Sequence, residues 1–349
     1  MTDTPGLDVA GLAQWLAESH PELVGGPLTA HLITGGRSNL TYRIDGARRP
    51  LVLRRPPLGH VLSSAHDMAR EHRVITALRN AAVPVPPTVD VVDDTATARV
   101  TGTPFFVMEF VEGRVLADPV QNADFTSAGL GSLGRELAGI LAELHAIDPA
   151  SVGLEGFGRA DGYLERQLAT WRRQLDASRS RAVPALDELQ EGLGERMPRS
   201  ARASLVHGDY RLDNALVAGF GDTPRIAAIL DWEMATLGDP LVDLGMLGLY
   251  WSITDLPGGR GVAPSAVDPA AGYPDFDELV DTYAERAGIA VPEHSWYRAF
   301  AAYKLAVILE GIHYRYRSGE TVGDGFDLIG GLVEPLAVEG LSHAAATRI

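Results

Sequence analysis

Apolar positions recur along the chain with two periods, and the change from one to the other separates a short β-rich part from a longer helical part. In "LDVAGLAQWLAES" (7–19) the apolar residues return every three or four positions, the spacing of one helix face. "LTAHLITGGRSNLTYRIDG" (28–46) then gives two strand-like runs joined by a Gly-Gly turn, and "PLVLRRPP" (50–57) a third strand stopped by prolines. A small antiparallel sheet is expected. "SAHDMAREHRVITALRNA" (64–81) places Met68, Glu71, Ile75 and Leu78 on one helical face and ends before "VPVPP". "PFFVMEFVEGR" (104–114) reads as a buried strand that breaks at Glu112-Gly113, where a domain boundary is expected.

Beyond that point the period is helical. From Ser132, the residues Leu133, Leu137, Ile140, Leu141 and Leu144 make a broad apolar stripe that closes at "IDP". A second helical region runs from about Tyr163 to Leu193, interrupted by Pro184. Two short strands, "SLVH" and "NALV", flank a polar loop, and the strand "RIAAILDW" follows. The remainder is helical apart from the Gly/Pro-rich "DLPGGRGVAPSAVDPAAGYP".

At 349 residues the chain exceeds the usual single-core size, so two domains are expected. The net charge of −16 is spread along the sequence, which argues against a nucleic-acid footprint and suits a neutral or cationic small substrate, although acidity for solubility is the plainer reading. The absence of cysteine excludes disulfides, thiolate catalysis and cysteine-based zinc sites. No apolar run approaches the roughly 18 residues that span a bilayer. The acidic start lacks a basic-then-apolar leader, so no membrane association and a cytoplasmic location are expected.

The polar loop carries the chemistry. "LVHGDYRLDNALV" (205–217) sets His207, Asp209, Asp213 and Asn214 between buried strands, where charged and amide groups are costly unless something polar satisfies them. Asn214 follows Asp209 by five residues, the spacing by which kinases set a catalytic Asp beside an Asn that holds Mg²⁺. A hard ion that keeps much of its water needs only one or two protein oxygens. Asn214 would supply one, and Asp231, at the C-terminal end of "RIAAILDW", a second.

"LVHGDYRLDN" followed by "ILDWEMATLGDPLVDLG" resembles the aminoglycoside phosphotransferase and choline kinase-like families, small-molecule relatives of protein kinases, and in particular the phosphotransferase-like branch that some proteins fuse to an acyl-CoA dehydrogenase. The resemblance covers roughly residues 30 to 320. It implies an α+β, bilobal protein-kinase-like fold: a small β-rich N-lobe with one key helix (1–111) that binds nucleotide, and a larger, mainly helical C-lobe (112–349) for catalysis and substrate. It also implies ATP and Mg as cofactors and a small-molecule partner, and leaves the oligomeric state open. In those roles Asp209 orients the acceptor hydroxyl and takes its proton late, while Asn214 and Asp231 hold the metal. His207 reads as a structural brace. Arg211 lies at the offset of a kinase loop Lys that touches the transferred phosphoryl group, although an exposed salt bridge accounts for it equally well. Asp213 reads as a turn residue, Asp239-Pro240 as a helix cap, and Asp243 as a brace for the metal loop.

In the small lobe "TGGRSNLTYRI" (34–44) looks like a phosphate-covering hairpin, with Gly35 and Gly36 allowing close backbone approach and Ser38 and Asn39 donating hydrogen bonds. Kinases pair a third-strand Lys with a Glu on the next helix. Here Glu71 is the helix candidate and the strand position is Arg54, a departure from the family; Arg55 projects to the opposite face. "FVMEFVEG" resembles the linker between lobes, where backbone groups near Glu109 and Val111 would meet an adenine edge. The acceptor site is least legible: on "WYRAFAAYKLAVILEGIHYRYR" the stripe of Phe300, Tyr303, Val307, Glu310 and Tyr314 reads mainly as core, and Glu310 with His313 beside it is the candidate substrate contact. Together these imply a kinase for a small-molecule hydroxyl, aminoglycoside-like or hydroxyacyl. The alternatives are a catalytically silent nucleotide-binding regulator and a phosphohydrolase using the same carboxylates.

Overall fold

The fold was analysed in a computed structural model that describes residues 4–33, 39–58, 67–200, 202–320 and 325–346. The chain divides into two compact units. The first comprises residues 1–112 and 227–235, and the second residues 113–226 and 236–349.

The first unit opens with helix α1 (Val9–Ser19), whose first free amides are met by the Asp8 carboxylate (2.9 and 3.0 Å to the Ala10 and Gly11 N–H groups). Strands β1 (Thr29–Leu32), β2 (Leu40–Asp45), β3 (Leu51–Arg55), β4 (Thr88–Val92) and β5 (Phe105–Glu109) form an antiparallel sheet in the order β1-β2-β3-β5-β4. Strand alternation sorts its side chains onto two faces. Tyr42, Ile44, Leu51, Leu53, Phe105 and Val107 pack with Leu12, Trp15 and Leu16 of α1 in one apolar core. Each of these fully buried large side chains contributes roughly 1.5–3 kcal/mol. The opposite face carries Val52, Arg54, Phe106 and Met108, and it meets helix α2 (Met68–Leu78), where His72 lies against Phe106. Asp67 caps α2 through the Arg70 N–H at 2.9 Å.

Strand β8 (Arg225–Ile229) brings the chain back into this unit, where the Ile229 N–H bonds the Pro84 carbonyl at 2.8 Å and a turn at Trp232–Met234 follows.

The second unit holds β6 (Ser204–Val206), paired antiparallel with β9 (Thr236–Gly238), and β7 (Ala215–Ala218). Its helices are α3 (Ser127–Ala146), α4 (Tyr163–Ser178), α5 (Pro184–Glu195), α6 (Leu241–Ser252), the short α7 (Gly259–Val262), α8 (Phe276–Ala287), α9 (Ser295–Arg317) and α10 (Val333–Ala346). Helix α9 is the hub, buried almost all round from Trp296 to Glu310 and packed on α10, α6, α4 and α5. Two sequence boundaries shift. Helix α3 starts five residues before the predicted Ser132, because the Thr126 hydroxyl caps a Gly-rich first turn that carries little apolar signal. Pro184 does not interrupt a helix but opens one, where its missing N–H costs nothing. Among the described residues no helix is long and apolar enough to cross a membrane.

Candidate active site

The "HGD" loop leaves β6 and enters the second unit's interior. His207 is fully buried. Gly208 adopts φ +88°, a left-handed conformation that glycine takes without steric cost. Asp243, on the first turn of α6, accepts the His207 N–H at 2.6 Å and the Gly208 N–H at 2.7 Å with its two carboxylate oxygens. The carboxylate is itself buried, which opposes its charge, yet hydrogen bonds from the His145 side chain and the Gly208 N–H hold its pKa below the ordinary value. His145, at the end of α3, places Nε2 3.2 Å from Asp243 and Nδ1 2.9 Å from the Tyr283 hydroxyl. Burial lowers the His145 pKa, and the pattern fits a neutral imidazole protonated on Nε2. The bracing expected of Asp243 is thus exerted on loop backbone, and its histidine support carried no local motif.

Asp209 is fixed from several sides. Its N–H points to His207 Nδ1 at 3.2 Å, and Asn214 Nδ2 donates to its backbone carbonyl (2.8 Å) and to its Oδ2 (3.0 Å). Arg211 Nε lies 3.4 Å from the same Oδ2 and 3.2 Å from Asp213, with its guanidinium 4.5 Å over the Tyr250 ring. Tyr250 is half-buried beside these acids, and both desolvation and the Asp209 charge push its pKa up. Asn214 Oδ1 accepts no hydrogen bond from a described residue. Asp239 does act as a cap: its Oδ1 accepts the Leu241 N–H at 3.0 Å and its Oδ2 the Tyr297 hydroxyl at 2.8 Å.

In the first unit Arg54 is the centre of a charge cluster. Pleating points it at α2, and its Nε reaches Glu71 at 3.0 Å. One terminal nitrogen reaches Asp231 at 2.7 Å and lies 3.8 Å from Glu233, and Glu233 in turn accepts Asn39 Nδ2 at 2.9 Å. Burial works against the Arg54 charge, but the three acids outweigh it and raise its pKa. Glu71 is 2% exposed, and burial keeps its carboxyl above the ordinary value despite Arg54. Asp231 sits at φ +65°, unusual for a residue with a Cβ, though aspartate tolerates it better than most. Its Oδ2 accepts no hydrogen bond from a described residue. Arg55 points the other way and bonds the Gly6 and Thr101 carbonyls at 2.6 and 3.1 Å, so neither arginine is an edge-strand charge.

The remaining candidates divide. Gly35, Gly36 and Ser38 lie outside the described residues. Glu109 ends β5, with its N–H bonded to the Pro87 carbonyl (2.8 Å) and its side chain paired to Arg49 (3.0 Å). Val111 follows with backbone groups that bond no described residue. Glu310 does not present a free carboxylate: one oxygen accepts the Ser180 hydroxyl at 2.8 Å and the other two nitrogens of Arg181 at 3.0 and 3.2 Å. That pairing satisfies a buried acid on the helix the other elements pack around. His313 packs beside Gly330 with its Nδ1 buried and bonded to no described residue. Lys304, Glu233 and Tyr250 lie outside the motif reading, whereas Asn39, expected as a hydrogen-bond donor, donates to Glu233; a lysine amid the apolar "AAYKLAVIL" is the signal that was there to read.

A small sheet-based unit with one ion-paired helix, and a larger helical unit holding an Asp/Asn loop, define the protein-kinase-like fold of small-molecule phosphotransferases. Residues 29–302 match the family described as the phosphotransferase enzyme family, and the chain belongs to it. It is 35% identical over 320 residues to acyl-CoA dehydrogenase family member 10 of Mus musculus, covering 89% of this chain and 29% of that protein. It is 33% identical over 330 residues to family member 11 of Homo sapiens, covering 92% of this chain and 40% of that one. The chain thus spans well under half the length of these relatives. Among solved structures, a provisionally described aminoglycoside phosphotransferase from Ralstonia eutropha JMP134 superposes with a TM-score of 0.82 at 31% identity, covering 98% of this chain and all of that one. An aminoglycoside phosphotransferase in complex with AMP-PNP and hygromycin B shares the fold at a TM-score of 0.62 and 14% identity, covering 97% of this chain and 99% of that one.

Proposed function

We propose that the protein transfers the γ-phosphoryl group of ATP to a hydroxyl of a small molecule, with residues 1–111 binding nucleotide and residues 112–349 supplying catalysis and the acceptor site, and that it does so in the cytoplasm as a magnesium-dependent enzyme. The observation that supports this most is the Asp209–Asn214 contact at 3.0 Å, on a loop whose backbone is anchored by Asp243. Asp209 orients the acceptor hydroxyl through its carboxylate. The acceptor oxygen forms a bond to phosphorus as the bond from phosphorus to the β–γ bridging oxygen breaks. ADP departs, and the hydroxyl proton passes late to Asp209, as a loose transition state requires. Arg211, two residues on, would offer a cation to the transferred group.

Magnesium suits the donor set: Asn214 Oδ1 and Asp231 Oδ2 are hard oxygens with no hydrogen bond from a described residue. When bound, the ion neutralises phosphate charge. Arg54, held by Glu71, replaces the usual lysine, and its planar fork grips carboxylate and phosphate alike. Val111, whose backbone groups bond no described residue, would meet an adenine edge with them. Gly36 and Ser38 would cover the phosphates. The acceptor is either aminoglycoside-like or a hydroxyacyl compound, and the similarity to proteins named as acyl-CoA dehydrogenases favours the latter.

A screen of hydroxylated metabolites, hydroxyacyl compounds and aminoglycosides with Mg-ATP, read by an acceptor mass gain of one phosphoryl group, tests the reading. Asp209→Asn should lower turnover on the hit at least 100-fold, and full turnover in that variant would overturn the assignment. The Arg54–Asp231 salt bridge favours one second reading, a nucleotide-binding regulator without turnover. Nucleotide binding with no ATP consumption across the whole panel would select it.

A further inference from the structure

Lys304 is 3% exposed, in the middle of α9, and no motif assigns it a task. An ammonium group there needs a physical reason, because a methionine of similar length would fill the same space without the desolvation cost of a buried charge. Its Nζ lies 2.5 Å from the Gly208 carbonyl and 5.5 Å from the Trp171 ring centroid. The Gly208 carbonyl belongs to the peptide unit that leads into Asp209. The N–H at the other end of that unit is the Asp209 amide, directed at His207 Nδ1. The preceding N–H, on Gly208, is held by Asp243. One short segment is therefore gripped at consecutive polar groups by an anion, a cation and an imidazole.

We propose that Lys304 is a positioning residue for phosphoryl transfer: its ammonium fixes the Gly208–Asp209 peptide plane, and so the direction in which the Asp209 carboxylate meets the acceptor. The proposal rests on the role given to Asp209 above. Asp243 cannot supply this function, since a carboxylate accepts hydrogen bonds and holds the loop only by its N–H groups. The carbonyl needs a donor from the far side, and a charged one makes the stronger, shorter bond. Burial lowers the Lys304 pKa, while the negative fields of Asp209 and Asp243 pull it back toward the charged form. Effective orientation is sensitive at this scale, since a misplacement of about 1 Å costs on the order of 100-fold in rate.

The test uses the full chain with Lys304→Met, Lys304→Gln and Lys304→Arg. Two readouts are taken: Mg-ATP turnover on the acceptor found in the screen, and amide hydrogen exchange over residues 205–214. The expected result for Lys304→Met is a kcat at least tenfold lower with the KM for ATP within twofold of wild type, and faster exchange at the Asp209 amide. Lys304→Arg should recover kcat to within threefold of wild type, because it restores a charged donor. A Lys304→Met kcat within threefold of wild type, or a loss carried wholly by KM, would overturn the proposal. Should Lys304→Met fail to fold, Lys304→Gln keeps a neutral donor in place of the charge and is judged by the same limits. A wild-type chain with no turnover counts against the proposed reaction instead, and unchanged exchange at Asp209 in the folded variants then rejects the positioning role on its own.

Discussion

Replacing Arg54 by methionine keeps an unbranched apolar stem and removes the charge on which three acids converge. Glu71, at 2% exposure, loses its partner at 3.0 Å, while Asp231 and Glu233 lose theirs at 2.7 and 3.8 Å. Deleting one member of a buried ion pair costs about 3–5 kcal/mol, because the survivor stays desolvated. Asp231 and Glu233 keep 31% and 19% of their side-chain exposure, so water screens them and Glu71 carries most of the penalty. A loss of about 3 kcal/mol follows, a large share of a typical stability of about 5–15 kcal/mol. Native-state amide exchange in β3 and α2 measures it locally, without assuming that the two units unfold together. At about 1.4 kcal/mol per decade, protection there should fall about 100-fold.

The pH dependence fixes the cause. Burial already holds the Glu71 pKa above its unfolded value, and losing Arg54 removes the largest influence pulling it down. An acid whose folded pKa is raised costs stability above that pKa and nothing below its unfolded value. The deficit of Arg54→Met should therefore be full at pH 8 and shrink as pH falls towards the ordinary glutamate value. The double variant with Glu71→Gln should recover much of it. A deficit that is equal at pH 5 and pH 8, or below about 1 kcal/mol, would refute the reasoning.

Two further outcomes follow from the same geometry. Asp94, 1% exposed, accepts the Thr97 hydroxyl and the N–H groups of Arg99, Val100, Thr101 and Gly102, so Asp94→Asn, which turns donors toward donors, should cost on the order of 3 kcal/mol by chemical denaturation. Those bonds hold its pKa well below the carboxylate range against the opposing effect of burial, so the wild-type advantage is full above the unfolded value near 4 and fades as pH falls toward the folded one; a gap that widens on acidification would contradict this. Glu310→Gln should lower the melting temperature by several degrees through loss of the Arg181 pair while leaving the acceptor KM within twofold, whereas a large rise in KM with unchanged stability would restore Glu310 as a substrate contact.

What was legible in the sequence was local. Five-residue spacing from Asp209 to Asn214, strand alternation separating Arg54 from Arg55, and helical periodicity placing Glu71 inward are set within one element or loop, and the distances agree with them. The supports of the loop were not local. Lys304 lies 96 residues from the carbonyl it bonds, and His145 98 residues from Asp243. No period or motif connects such pairs, because they meet only once the helices pack. Glu310 was singled out for its acidity on an apolar stripe, and only the coordinates reveal that Arg181 and Ser180 already occupy both its oxygens.

The two-part make-up of the first unit has a consequence for synthesis. Arg54 emerges from the ribosome 177 residues ahead of Asp231, but only 17 ahead of Glu71. At about 5–20 residues per second, roughly 10 to 35 s pass before its second acid exists. For that interval the nascent sheet holds the cation with one counter-ion, and the first unit's last nine residues, 227–235, close the cluster only after the whole of the second unit's first segment has been made.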